Sequence, residues 1–303
     1  MKKTVYTRSL ILMFLFAMII APATVSAEEE FPVPLPAPTT QIATIQPLTG
    51  ASLSADVLPA SLTEELYTYL VDSFTVGLID VDKYNQILNS GMISENAFFS
   101  NSVFVGDSIT VGFRQYCEKH SDSIKTDTTY FLARVSCSAT VAISENALTK
   151  HSNVMPLFNG KAEYVENAIA QMTDVNKVFI CFGVNDLGIT SPEKYVQNMQ
   201  TLVSRILEKR PDVQIHIISI PCVMSDVSSS GLNNYNIQVA NLLLQNVCQA
   251  SGWGYVNLSE YLMGDDMGLR PEYTSDHYVH ENSKAYEVWN KVLKSYAFAE
   301  ITK

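Results

Sequence analysis

Hydrophobic positions downstream of residue 100 come in two textures. Short unbroken apolar runs bounded by turn residues fall at 103–105, 177–183 and 213–220, with a shorter one at 255–258 and a weaker one at 129–133. Runs without polar alternation predict strands buried on both faces. Between them, apolar residues at helical spacing predict helices over 161–172, 192–209, 236–250 and 283–297. Strand and helix alternate, which predicts a parallel sheet covered by helices on both sides. About 200 residues of this kind are enough for one substantial core, and no internal repeat interrupts them.

The first hundred residues read differently. Met1-Lys2-Lys3 and Arg8 precede an apolar run from Leu10 to Ile20 and small residues ending Val25-Ser26-Ala27. This order predicts a secretory signal peptide over 1–27, cut after Ala27. The run falls short of the ~20 residues of a comfortable membrane span, and no cysteine stands at the cut for a lipid anchor. Residues 28–60 hold an acidic triplet and five prolines between Phe31 and Pro47, the composition of an extended tether. Ser61-Leu62-Thr63-Glu64 is a capping box leading into Leu66, Tyr69, Leu70 and Phe74, so 61–99 is expected to be a small helical preface to a main domain over 100–303.

Removing the leader leaves 17 basic against 31 acidic side chains and takes the net charge from −11 to −14. Such a surface offers no electrostatic basis for holding nucleic acid or an anionic membrane. Cys117, Cys137, Cys181, Cys222 and Cys248 are odd in number and scattered, and are expected to be buried small apolar residues rather than disulfide partners or metal ligands.

Three segments carry candidate chemistry. The run 103–105 stops at Gly106-Asp107-Ser108. A hydroxyl would thereby stand at the carboxyl end of a strand, the ligand-binding end of an open α/β sheet. A serine there supplies an attacking oxygen together with a backbone donor for an oxyanion; an ordinary turn is the alternative. The run 177–182 is followed by Gly183-Val184-Asn185-Asp186, where the Asn185 amide would open onto the same edge. Otherwise Asn185 and Asp186 only bond their own backbone. The third is Ser275-Asp276-His277-Tyr278-Val279-His280-Glu281-Asn282, just before the last helix. His120 and His151 lie in polar, turn-like text and His216 within a strand, which leaves His277 and His280 as candidate bases with a carboxylate close upstream. The same pair, with Asp276 or Glu281, could instead be read as metal ligands.

Together these segments resemble the blocks of the SGNH hydrolases, also called the GDSL esterase/lipase family. Gly106-Asp107-Ser108 resembles the first block, Gly183-x-Asn185-Asp186 the third, and the text around His280 the fifth, and the likeness covers about residues 98 to 298. The resemblance implies a three-layer α/β/α sandwich, flavodoxin-like, with a mostly parallel sheet. It implies ester hydrolysis through an acyl-serine intermediate with Ser108 as nucleophile, His280 as base and Asp276 as its partner. Ser108, Ser136 and Asn185 would form the oxyanion hole, and no cofactor is implied. Two departures stand out. The second block, here 133–139, has no glycine, and Ser136 fills the position. Asp276 stands four residues before His280 rather than three, so a loop with one extra residue or a Ser–His dyad is required. The expected substrate is an acetylated polysaccharide of the cell envelope or medium, with a short-chain lipase or thioesterase as the neighbouring possibility. The rival from another class is a non-catalytic envelope protein that keeps the fold and binds glycan or a protein partner.

Overall fold

A computed structural model describes residues 95–227 and 231–302. The leader at 1–27, the tether at 28–60 and most of the preface at 61–99 lie outside the described residues. Five strands form one sheet: β1 Ser102–Gly106, β2 Thr129–Ala133, β5 Lys177–Cys181, β6 Gln214–Ile218 and β7 Gly254–Val256. Their order is β2-β1-β5-β6-β7, and each neighbouring pair is parallel. Helices Ser108–Lys119, Val165–Gln171, Pro192–Lys209, Asn234–Ser251 and Ser283–Thr302 cover the two faces. The expected three-layer α/β/α sandwich is the fold observed.

The two faces differ in texture, and strand alternation is the reason. Val103, Val105, Val178, Ile180, Ile215 and Ile217 belong to one buried cluster, beneath the Val165–Gln171, Pro192–Lys209 and Asn234–Ser251 helices. Phe104, Phe179, Cys181 and Ile218 belong to the other, beneath the Ser108–Lys119 and Ser283–Thr302 helices. On that second face the register sets Phe131, Phe104, Phe179 and His216 side by side across four strands. The Phe104 and Phe179 rings stack at 4.6 Å and 8°, and Phe179 and His216 at 4.6 Å and 15°. Each such pair contributes about 0.5–1.5 kcal/mol beyond area burial. His216 is thus a core residue, its Nδ1 2.7 Å from the Tyr296 hydroxyl. Within 95–99, the preface ends in a short helix, Glu95–Phe98, and Phe99 is buried against this aromatic face. All five cysteines are free and buried, and burial pushes the Cys117, Cys137, Cys222 and Cys248 thiols up to about 12.

Helix Pro192–Lys209 matches its expected bounds, because Ser191 caps it through its hydroxyl and Pro192 opens it. The expected helix over 161–172 is corrected. Leu157–Phe158 (β3) and Lys161–Ala162 (β4) form a small antiparallel hairpin, and the helix begins only at Val165. The hairpin turn is Asn159-Gly160, both at positive φ (50° and 77°). An Asn-Gly pair of that conformation is the favoured two-residue hairpin turn, and it outweighs the helical spacing of the residues after it. The shortest strand of the five-stranded sheet is also displaced, to Gly254–Val256 from an expected 255–258.

Gly106 ends β1 at a crowded point of the backbone. A Cβ there would lie 2.6 Å from the Cys181 carbonyl oxygen and closer still to the Thr110 hydroxyl. Gly106→Ala is therefore expected to destabilise the fold by about 1–3 kcal/mol, as overpacking does. A melting temperature equal to that of the unsubstituted protein would contradict this account of the β1 terminus.

Candidate active site

The sheet order brings the candidate residues to one place. Without the hairpin, the strands run 2-1-3-4-5 in chain order, and the direction of winding reverses between β1 and β5. Ligands of open α/β sheets bind outside the strand carboxyl ends at such a switch point. Gly106 is in register with both Ala133 and Cys181. Each chain then runs two to four residues further to reach Ser108, Ser136 and Asn185.

Asp107 is the N-cap of the Ser108–Lys119 helix, its Oδ1 accepting from the Ile109 N–H at 3.0 Å. Ser108 is thereby the first helical residue, whose N–H has no intrahelical acceptor. Its Oγ lies 3.1 Å from Nε2 of His280, and Nδ1 of His280 lies 2.6 Å from Oδ2 of Asp276. The aspartate reaches the imidazole from four residues back because the loop is tight. Ser275 N–H donates to the His280 carbonyl and Asn282 N–H to the Tyr273 carbonyl, closing the loop base. Within it, Oδ1 of Asp276 accepts from the N–H groups of Tyr278, Val279 and His280 at 2.9–3.1 Å. His277 takes up the extra residue at φ 54° and stands exposed at the loop tip. Burial works to raise the Asp276 carboxyl, but the imidazole and the backbone donors outweigh it and hold the group below the usual carboxylate range. Among the described residues no group of three or more His, Cys, Asp or Glu side chains could hold a metal ion.

Ser136 occupies the third position of a turn closed by Cys137 N–H donating to the Arg134 carbonyl, at φ 61°. A turn with positive φ at that position favours glycine, and a serine there costs on the order of 1 kcal/mol. The side chains of Asn185 and Asp186 do more than bond their own turn. They cross to this loop. Asn185 Nδ2 donates to the Cys137 carbonyl at 3.0 Å and to Asp107 Oδ2 at 3.1 Å. Asp186, fully buried, accepts from the Ala139 and Thr140 N–H groups and the Thr140 hydroxyl at 2.6–3.1 Å. Asp186 and Thr140 thus anchor the loop bearing Ser136, a positioning role the sequence reading missed.

Two further carboxyls lie beneath the site. Burial lifts Asp107 to about 7, opposed by its bond from Ile109 N–H and reinforced by the Asp186 charge. Burial lifts Glu281, the neighbour of His280, to about 8, and both its oxygens are buried beside the Trp289 indole N–H without a well-formed hydrogen bond. In both cases the folded value lies above the ordinary one. The folded state therefore retains protons that the unfolded chain releases, and the stability these groups contribute in acid is lost as pH rises through about 7 to 8. Glu281→Gln is expected to flatten the fall in melting temperature between about pH 5 and about pH 8. Parallel curves for the two proteins would contradict the burial of a neutral carboxyl there.

Residues 104–288 match the model of the GDSL-like lipase/acylhydrolase family. Solved structures similar to the chain include a GDSL-like lipase from Bacteroides thetaiotaomicron, 18% identical over 70% of this chain and 95% of that one, with a TM-score of 0.47. A lipase/acylhydrolase from Enterococcus faecalis is 14% identical over 64% and 93%, TM-score 0.45. An acetylxylan esterase from Geobacillus stearothermophilus is 15% identical over 65% and 93%, TM-score 0.42. No curated protein sequence matches.

Proposed function

The chain belongs to the GDSL-like lipase/acylhydrolase family, whose model matches more than half of it, and from that premise we propose that it is a serine esterase acting through an acyl-Ser108 intermediate. The observation that carries this reading is the continuous path Asp276–His280–Ser108, with contacts of 2.6 and 3.1 Å. In acylation, His280 Nε2 takes the Ser108 proton as Oγ attacks the ester carbonyl. The tetrahedral intermediate collapses with that proton delivered to the departing alcohol. Water, deprotonated by the same nitrogen, then attacks the acyl-serine and releases the acid. Asp276 fixes the tautomer with a proton on Nδ1 and stabilises the imidazolium. The N–H groups of Ser108 and Ser136 receive the oxyanion.

Asn185 joins them only by sharing. Both of its amide protons already face acceptors, Asp107 and Cys137. The favoured substrate is an O-acetylated carbohydrate, which suits an open groove beside Ser136 with Arg114, Arg134 and Asn153 among its walls. The leader read in residues 1–27 supports work outside the cell or in its envelope.

Steady-state kinetics on p-nitrophenyl acetate and acetylated xylan test this reading. Ser108→Ala and His280→Ala should each lower kcat by several orders of magnitude, Asp276→Asn by less, while His277→Ala should stay close to the unsubstituted enzyme. Loss of activity in His277→Ala beside retained activity in His280→Ala would overturn the base assignment. Unchanged turnover in Asp276→Asn would leave a Ser–His dyad. Inactivity of the unsubstituted protein on every ester would favour the glycan- or partner-binding alternative.

Asn185→Ala separates transition-state stabilisation from scaffolding. An oxyanion donor should cost ~10²–10³ in kcat with KM little changed. A variant that keeps kcat and raises KM would mean that Asn185 serves only to tie Asp107 to the Cys137 loop.

A further inference from the structure

Beside Ser136 lies an open groove of about 520 Å³ whose lining includes Arg114, Arg134, Asn153, Phe131 and Leu157. Both arginines are rooted in elements that build the site. Arg114 is on the helix that begins at Ser108, about 9 Å along its axis at 1.5 Å per residue. Arg134 stands two residues before Ser136, and its N–H donates to the Gly106 carbonyl at the end of β1.

Their donors are largely unspent. Arg134 is held by Nε donating to the Asn153 carbonyl at 3.2 Å, and its terminal nitrogens make no hydrogen bond among the described residues. Arg114 Nε is buried without a hydrogen-bond partner, and Glu118, one turn on, lies 3.7 Å away as a loose surface pair. A guanidinium carries five N–H donors in a planar fork that matches an oxyanion and stays charged at any working pH. Two such forks in one groove, walled by apolar side chains and adjoining Ser136, form a receptor for a negatively charged group attached to a less polar body.

We propose that this groove is a subsite for an oxyanion carried by the ester substrate itself, a carboxylate or phosphate close to the scissile ester, received by Arg114 and Arg134. The proposal rests on the esterase reading and narrows its substrate class from acetylated carbohydrate in general to an anionic one. The acidity of the chain as a whole does not oppose it. Remote carboxylates are screened beyond ~8 Å at physiological ionic strength, whereas groups in direct contact are not.

Matched pairs of substrates test it: acetylglycerol 3-phosphate against monoacetylglycerol, and O-acetylated trigalacturonate against O-acetylated xylotriose. The quantity read is the ratio of kcat/KM for the charged member to that for the neutral one. The wild-type ratio should exceed about tenfold in one pair, which also identifies phosphate or carboxylate as the anion. It should fall about ten- to a hundredfold in the Arg114→Gln/Arg134→Gln double variant, mostly through KM, and partly in Arg134→Lys, which keeps the charge and loses the fork. A wild-type ratio near one in both pairs, an unchanged ratio in the double variant, or loss of turnover on charged and neutral members alike would overturn the subsite. If the wild type turns over no ester, the esterase reading fails instead. Calorimetric titration with glycerol 3-phosphate and trigalacturonate then decides the subsite alone: binding abolished in the double variant supports it, and absence of wild-type binding overturns it.

Discussion

The site depends on the register of β1 between β2 and β5. Gly106 faces Ala133 on one side and Cys181 on the other, so three separate chains leave the sheet at one level. A one-residue slip in any of them would exchange the aromatic and aliphatic faces of that strand. It would also move Ser108, Ser136 or Asn185 by about 3.3 Å along the edge. The ring ladder of Phe131, Phe104, Phe179 and His216 opposes such a slip. Core packing and positioning of the site are therefore one constraint.

Around that edge, four carboxyls occupy three kinds of environment. Asp276 is held ionised by the imidazole and three backbone N–H groups. Asp186, fully buried, is also raised by burial, opposed by the hydrogen bonds its oxygens accept from the Ala139–Thr140 backbone and the Thr140 hydroxyl, and works as an anchor. Asp107 and Glu281 are buried with less compensation, and their carboxyls shift upward toward neutrality. Proximity to the serine does not decide their roles; hydrogen-bond supply does.

Much of the fold was legible because buried parallel strands leave unbroken apolar runs, and those at 103–105, 177–183 and 213–220 all became strands. The hairpin at 157–162 was missed because the helical spacing after it was read as starting too early, although Asn159-Gly160 stood in the text as a turn signal. For the site, strand ends pointed to Ser108 and Asn185. The four-residue spacing of Asp276 left triad and dyad open, since nothing local in the sequence fixes the shape of a five-residue loop. Its closure depends on backbone bonds between 273–275 and 280–282. Thr140 was illegible as a member of the site, and Glu281 was legible only as a candidate metal ligand, for a similar reason: their roles arise from contacts across the fold.

The most direct measurement is covalent labelling by a fluorophosphonate, with the modified peptide located by mass spectrometry and the labelling rate compared between the protein and its Asp276→Asn variant. The account predicts one label, on Ser108, formed much more slowly when the carboxylate that orients His280 is removed. A label on another residue, or no label on a protein that hydrolyses esters, would contradict it.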